Sequence, residues 1–359
     1  MDRRQMIKAT AALSVGAFAA PALGGPCDPV HFYGALTPGR TIKGRRFYQE
    51  FAPLRGLGRH LAKEGKNVFL WKNLEKEIGE IEPHYQGPTE DGIPGEGDCV
   101  GHATAMGCDV LAATDIHLRN EPERFFAKAS VEAIYWGSRV EIGQQDDPAL
   151  SILGRPGSHG FWAADWVRKY GVLHRTVYHS ATDQLDLTGY HPGRSRSRRD
   201  TGVPDWLEPV AKAHPVKITT NVKTGMEGVD AICAGNPVLT CSSYAFRPER
   251  DERGFCKAYG EQTVRRGWRG FSRFRIQWWH ALVATGVVFY EDGIGVLIQN
   301  SHGDWNGGPR PFDIPRGSFF VDFPTWDAMV RDWGDCHALG SYYGHQIRQY
   351  RNRLHKLWR

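Results

Sequence analysis

The sequence predicts an α+β protein of two lobes, a helical one followed by a β-rich one. Three observations carry the expectation. Apolar residues recur at helical spacing in the first half of the chain. Short β-rich runs between turn signals dominate from Val216 onward. Glycine is abundant, at 42 of 359 residues, so many turns are expected.

Taken in order, Phe69, Leu70, Leu74, Ile78 and Ile81 fit a helix over Val68–Ile81. Residues 86–98 are rich in Gly, Pro and acids and read as a loop. Cys99–His117 reads as a helix, with Ala103, Met106, Val110, Leu111 and Thr114 on one stripe. Phe125–Val140 and Phe161–Tyr170 are further helices, and Gly171 fits the C-cap of the second. His191–Gly202 carries Arg194, Arg196, Arg198 and Arg199 and reads as an exposed, solvated loop. Val216–Thr219, Pro237–Ser242, Ala281–Tyr290, Gly295–Gln299 and Ser318–Val321 read as strands. Glu291-Asp292-Gly293 is a tight turn between two of them. No internal repeat is present.

Hydrophobic residues make up 41% and charged residues 24%, an ordinary globular composition. A net charge of +5 favours acidic partners but does not mark a nucleic-acid binder, and no nucleic-acid partner is expected. Arg3-Arg4, followed by Gln5, an apolar pair and Lys8, resembles a twin-arginine export signal. The weakly hydrophobic stretch after it is too rich in Gly and Ala to span a membrane. Residues 1–25 are therefore expected to be a removable signal read by the twin-arginine export machinery. The mature protein is expected to be periplasmic or extracellular, without a membrane span. Seven cysteines leave at least one thiol over if the rest pair, and no Cys-x-x-Cys motif suggests structural zinc. Neither a metal nor a cofactor is expected.

A thiol hydrolase needs a cysteine whose proton can be removed, a base, a group to hold that base, and donors for the oxyanion. Cys99 follows Gly97-Asp98 at the start of an apolar helix, where the helix dipole favours a thiolate. His280 leads a buried-looking strand in Trp278-Trp279-His280-Ala281. Asn300 ends the next strand, in Asn300-Ser301-His302-Gly303. A hairpin between those strands would set Asn300 beside His280.

These segments resemble, as an ordered series, the papain family of cysteine peptidases. Gly157–Val172 resembles its glycine-rich substrate wall and following helix, and Glu227–Leu239 its helix and strand before the histidine. His280-Ala281 resembles the histidine motif, Asn300–Gly303 the Asn-Ser-Trp-Gly motif, and Gly317–Val321 a later strand. The resemblance implies a helical lobe bearing the nucleophile helix, a β-barrel-like second lobe and a cleft between them. It implies Cys99 as nucleophile, His280 as base then acid, and Asn300 as orienter of the imidazole. It implies an oxyanion donor from the Cys99 amide, with Gln86 of Gln86-Gly87 as the second. Gly160 and Ala281 would border the substrate, a polypeptide.

The sequence departs from the family in places. Glu96 stands where the family has a cysteine, Val100 where it has an aromatic residue, and His302 where it has a tryptophan. Pro88–Glu96 must loop out for Gln86 to reach the site. From Cys99 to His280 is about 180 residues, against the family's ~130–150. Two other functions stay open. One is a catalytically inactive module that binds peptides or assembles with a partner. The other is a thiol amidase or transferase with a non-protein substrate. The expected organisation is a signal at 1–25, an N-terminal extension or short prosegment at 26–85, a catalytic domain at 86–325 and a basic C-terminal extension at 326–359.

Overall fold

The computed structural model describes residues 55–342 except 90–91, 93–94, 120–125, 147–153, 260, 266–270 and 276. All of these fall in the unit Phe32–Arg359. The export signal, Cys27, residues 26–54 of the expected N-terminal extension, Phe125 and the Arg-rich tail lie outside them, and the helix expected over Phe125–Val140 begins only at Val131.

Nine α-helices are used below: α1 (Leu57–Lys63), α2 (Trp71–Ile78), α3 (Cys99–Arg119), α4 (Val131–Gly137), α5 (Gly160–Lys169), α6 (Pro192–Ser197), α7 (Glu208–Lys212), α8 (Gly225–Cys233) and α9 (Phe323–Trp333). Helix α4 starts at Ser130, whose hydroxyl accepts the Ala133 amide, and continues as a π-helical stretch over Ser138–Gly143. Helix α5 ends as its sequence foretells. Gly171 has φ +92°, and a Cβ there would collide with the Ala211 carbonyl oxygen.

The main sheet is antiparallel throughout. Its order is β12 (Phe319–Asp322), β11 (Gly293–Gln299), β10 (Gln277–Tyr290), β5 (Val238–Tyr244), β13 (Cys336–Tyr342) and β4 (Val216–Asn221), with β1 (Val68–Phe69) also paired to β10. Three two-stranded ribbons form sheets of their own: β2 (Val177–His179) with β3 (Gln184–Asp186), β6 (Phe246–Arg250) with β7 (Cys256–Ala258), and β8 (Glu261–Arg265) with β9 (Phe271–Arg275). Among the described residues the main sheet is open, with β12 and β4 as its edges. The β-barrel-like lobe expected from the sequence is thus corrected. Closure would require the edges to pair with each other. Instead each edge strand leads into a capped helix. Asp322 caps α9 through the Thr325 amide at 2.8 Å, and Thr224 caps α8 through the Glu227 amide at 3.2 Å.

Two apolar cores flank α3. One is centred on the sheet and includes Trp71, Leu282, Phe319 and Trp326, and α3 gives it Met106, Val110 and Ala113. The other is helical and includes Ile134, Trp136, Trp162 and Trp166, and α3 gives it Cys99, Val100, Ala103 and Leu111. Every residue of α3 from Cys99 to Ile116 is buried. The single stripe read from sequence is replaced by a helix buried on all sides, as befits an element between two cores, with His102, Asp109 and Asp115 among its buried residues.

Two expected boundaries change. Residues 57–81 are woven into the sheet-centred core through Leu57, Leu61, Val68, Leu70, Trp71, Leu74 and Ile81. Val68 and Phe69 pair with Val287 and Gly286, and the Leu70 amide donates to Thr285 at 2.9 Å. At the other end, β13 lies inside the sheet between β5 and β4. Residues 326–342 are therefore part of the domain and not an appendage to it.

The Arg-rich stretch is also corrected. Within His191–Gly202 it forms α6, with His191 Nδ1 accepting the Gly193 and Arg194 amides. Arg194 pairs with buried Glu132 at 2.7 Å, and Arg196 and Arg199 with buried Glu96 at 3.1 and 3.2 Å. Carboxylates held out of water require such partners.

Candidate active site

Cys99 opens α3, whose first turn is closed by the His102 amide donating to the Asp98 carbonyl at 3.1 Å. The helix N-terminus therefore points its free amides at the start of this segment. Cys99 Sγ accepts the Ala281 amide at 3.3 Å. That amide belongs to the peptide unit joining His280 to Ala281, so the sulfur rests against the backbone that carries the histidine.

The histidine strand and the asparagine strand form the hairpin. Tyr290 pairs with Gly293 across the turn, and the ladder runs back to Val283 opposite Gln299. A bulge between Ala284 and Gly286 interrupts it. Just beyond Gln299, Asn300 Oδ1 lies 2.7 Å from His280 Nε2. Asn300 Oδ1 also accepts the Ser301 amide at 2.7 Å. An oxygen in that place requires His280 to carry its proton on Nε2, which leaves Nδ1 as the basic nitrogen.

Gln86 reaches the same corner. Its amide donates to the Ser301 carbonyl at 2.9 Å, and its Oε1 accepts the Ser301 hydroxyl at 2.7 Å. Its Nε2 donates to the Glu96 carbonyl at 3.0 Å, which uses one of two N–H groups. Ala281 pairs with Cys241, and a Cβ on Gly160 would stand 2.7 Å from Cys241 Sγ. Gly160 also gives its amide to Asp335 at 2.8 Å, and Asp335 meets His337 at 2.8 Å. Cys99, Ala281, Cys241 and Gly160 thus share one buried neighbourhood.

Burial sets the electrostatics. Cys99 is fully buried and His280 is 1% exposed. Desolvation pushes the Cys99 thiol up to about 12, against the smaller opposing effect of the Ala281 amide. Desolvation takes His280 down to about 4, against the opposing hydrogen bond to Asn300. In this closed arrangement both groups are neutral at pH 7.

Several residues to which the sequence assigned no catalytic role gather here. Asp98 accepts the Ser195 hydroxyl at 2.5 Å and the Tyr190 hydroxyl at 3.2 Å, and burial pushes its carboxyl up to about 8. His102 is buried, with Nδ1 3.3 Å from His84 Nδ1 and its ring edge-on to Tyr190. His302 stacks on His280, with ring centres 4.2 Å apart and planes 25° apart. Glu96 accepts the Tyr135 hydroxyl at 2.9 Å, and that hydroxyl accepts the Gly157 amide at 3.1 Å. Glu96 is thus the centre of a buried polar hub. All six described cysteines are free and buried. Among the described residues no helix is long and apolar enough to cross a membrane.

No protein-family model matches the chain, and no curated protein does. Solved structures similar to it include xylellain, a cysteine protease from Xylella fastidiosa, at 13% identity and TM-score 0.49, covering 87% of this chain and 96% of that one. Another is digestive procathepsin L 3 of the Tenebrio molitor larval midgut, at 11% identity and TM-score 0.44, covering 77% of this chain and 69% of that one. A third is a procathepsin B from Trypanosoma congolense, at 10% identity and TM-score 0.41, covering 77% of each chain.

Proposed function

We propose that this chain is a thiol-dependent hydrolase of the papain-like kind, an endopeptidase that cleaves polypeptides through an acyl-enzyme. The observation that carries the reading is the 2.7 Å contact between His280 Nε2 and Asn300 Oδ1, with Cys99 Sγ against the Ala281 amide. In this reading the Asn300 carboxamide holds His280 with Nδ1 free of a proton. His280 then takes the Cys99 proton as sulfur attacks the scissile carbonyl. The C–N bond breaks, and His280 returns the proton to the leaving amine. Water then attacks the thioester, with His280 again as base, and frees the acid and the thiol. The Cys99 amide and the second N–H of Gln86 would meet the oxyanion.

The neutral, buried pair defines what turnover requires. A thiol at about 12 beside an imidazole at about 4 does not ionise spontaneously. Opening the pocket to water or substrate must bring the two values together. The signal at residues 1–25, with export to the periplasm or beyond, fits an enzyme acting on polypeptides outside the cytoplasm.

The burial of Cys99 also favours a second reading, a catalytically silent module that binds peptides or a partner. An epoxysuccinyl inhibitor separates the two. The enzyme reading expects one covalent adduct, located on Cys99 by peptide mass mapping and absent from Cys99→Ala and His280→Ala. Adducts spread equally over Cys99, Cys233 and Cys241 would favour the silent module.

A further inference from the structure

We infer that His302 is a positioning residue for His280, fixing both the plane of its ring and the orientation of the Asn300 carboxamide. This rests on the proposed hydrolase reading for its consequence in turnover, but its geometry stands apart from it.

An asparagine side chain offers an oxygen and an NH2 of nearly equal shape. Turned over, Asn300 would present NH2 to His280 Nε2. His280 would then accept there and carry its proton on Nδ1, the nitrogen the reaction needs bare. Two contacts oppose that turn. The Ser301 amide donates to Oδ1 at 2.7 Å, and Nδ2 donates to His302 Nδ1 at 3.4 Å. The second contact needs His302 to offer a lone pair at Nδ1. The tryptophan of the related motif has no such acceptor, so this duty belongs to the histidine in this chain.

The ring of His302 does separate work. It lies almost parallel to His280 at 4.2 Å, while Trp278 meets it edge-on at 5.8 Å. Trp278 is itself braced edge-on by Trp305 at 5.2 Å. Rotation of His280 about its Cβ–Cγ bond would break the stack. Tyr85 forms an isolated β-bridge with His302, which ties the loop bearing the ring to the segment before Gln86.

Two variants separate the duties. His302→Phe keeps a stacking ring and removes the acceptor. His302→Gln keeps an acceptor and removes the aromatic ring. The readout is the 15N spectrum of the histidine side chains at pH 7, with His280 assigned by its loss in His280→Gln. The wild type is expected to show a single His280 tautomer protonated at Nε2. His302→Phe should show a mixture of tautomers, and His302→Gln should retain the single one. In peptide hydrolysis, kcat should fall about tenfold in His302→Phe with KM unchanged. An unaltered tautomer in His302→Phe overturns the inference. So does an equal mixture in both variants, which would reduce His302 to packing. A tautomer pattern as expected, with no hydrolysis by any form, would sink the hydrolase reading and leave the positioning role standing.

Discussion

His280 Nε2 meets Asn300 Oδ1 at 2.7 Å although twenty residues separate them in the chain. The hairpin of β10 and β11 supplies the rigid return that makes this possible, and the bulge near Thr285 adjusts where its ends arrive. Catalytic geometry placed on paired strands is held more tightly than geometry placed on loops.

The first prediction concerns this contact. Asn300→Ala should lower kcat by about tenfold to a hundredfold by releasing the imidazole, with little change in KM. Steady-state peptide hydrolysis beside a thermal melt checks it. A fall in melting temperature large enough to unfold the protein at assay temperature would point instead to a structural role.

The second concerns pH. The Cys99 thiol is raised to about 12, so the folded state keeps its proton more tightly than the unfolded chain. Its contribution to stability is fully present below an unfolded thiol pKa of about 8.5. It is lost as pH climbs from there towards 12. His280 is lowered to about 4, so its contribution is present above an unfolded value of about 6.5 and fades as pH falls towards 4. Cys99→Ala should flatten the alkaline side of the stability curve, and His280→Phe the acid side. Denaturant midpoints from pH 4 to 10 test both.

The third concerns Glu96. Its carboxylate holds Arg196, Arg199 and the Tyr135 hydroxyl, while its carbonyl accepts from Gln86. Glu96→Ala strands those partners around an empty buried position and should cost about 3 kcal/mol. Glu96→Gln should cost less, since it keeps an acceptor for Tyr135. Urea unfolding of both variants measures the difference.

The fourth concerns residues 57–81. A prosegment can be removed after folding, but these residues fill the sheet-centred core. A chain beginning at residue 86 should therefore fail to unfold cooperatively. Trp71→Ala alone should cost about 3–5 kcal/mol. Recovery of a folded, thiol-reactive protein lacking residues 26–85 would restore the prosegment reading.

What the sequence made legible follows from how local each signal is. The apolar run Ala281–Tyr290, the turn at Glu291-Asp292-Gly293 and the run Gly295–Gln299 follow one another closely in the chain, and from them the approach of Asn300 to His280 can be read. The length of α3 was equally plain. By contrast β13, Cys336–Tyr342, contains Ala, Gly and Ser, which have weak strand preference. Its partners β4 and β5 lie about a hundred residues earlier, so nothing nearby announces a strand. The Arg-rich stretch looked solvated because Glu96 and Glu132, which neutralise it, lie far upstream. Nor does any local pattern reveal that Cys99 is fully enclosed, since that depends on both cores meeting around α3.

The most direct test is the mass of the protein after brief mixing with a slowly deacylating thiol-protease substrate, such as an activated peptide ester, followed by acid quench. A reactive Cys99 served by His280 predicts one acyl group per chain, mapped to Cys99, with none in His280→Ala. An unmodified chain that nonetheless binds the peptide portion would contradict catalysis by this pair.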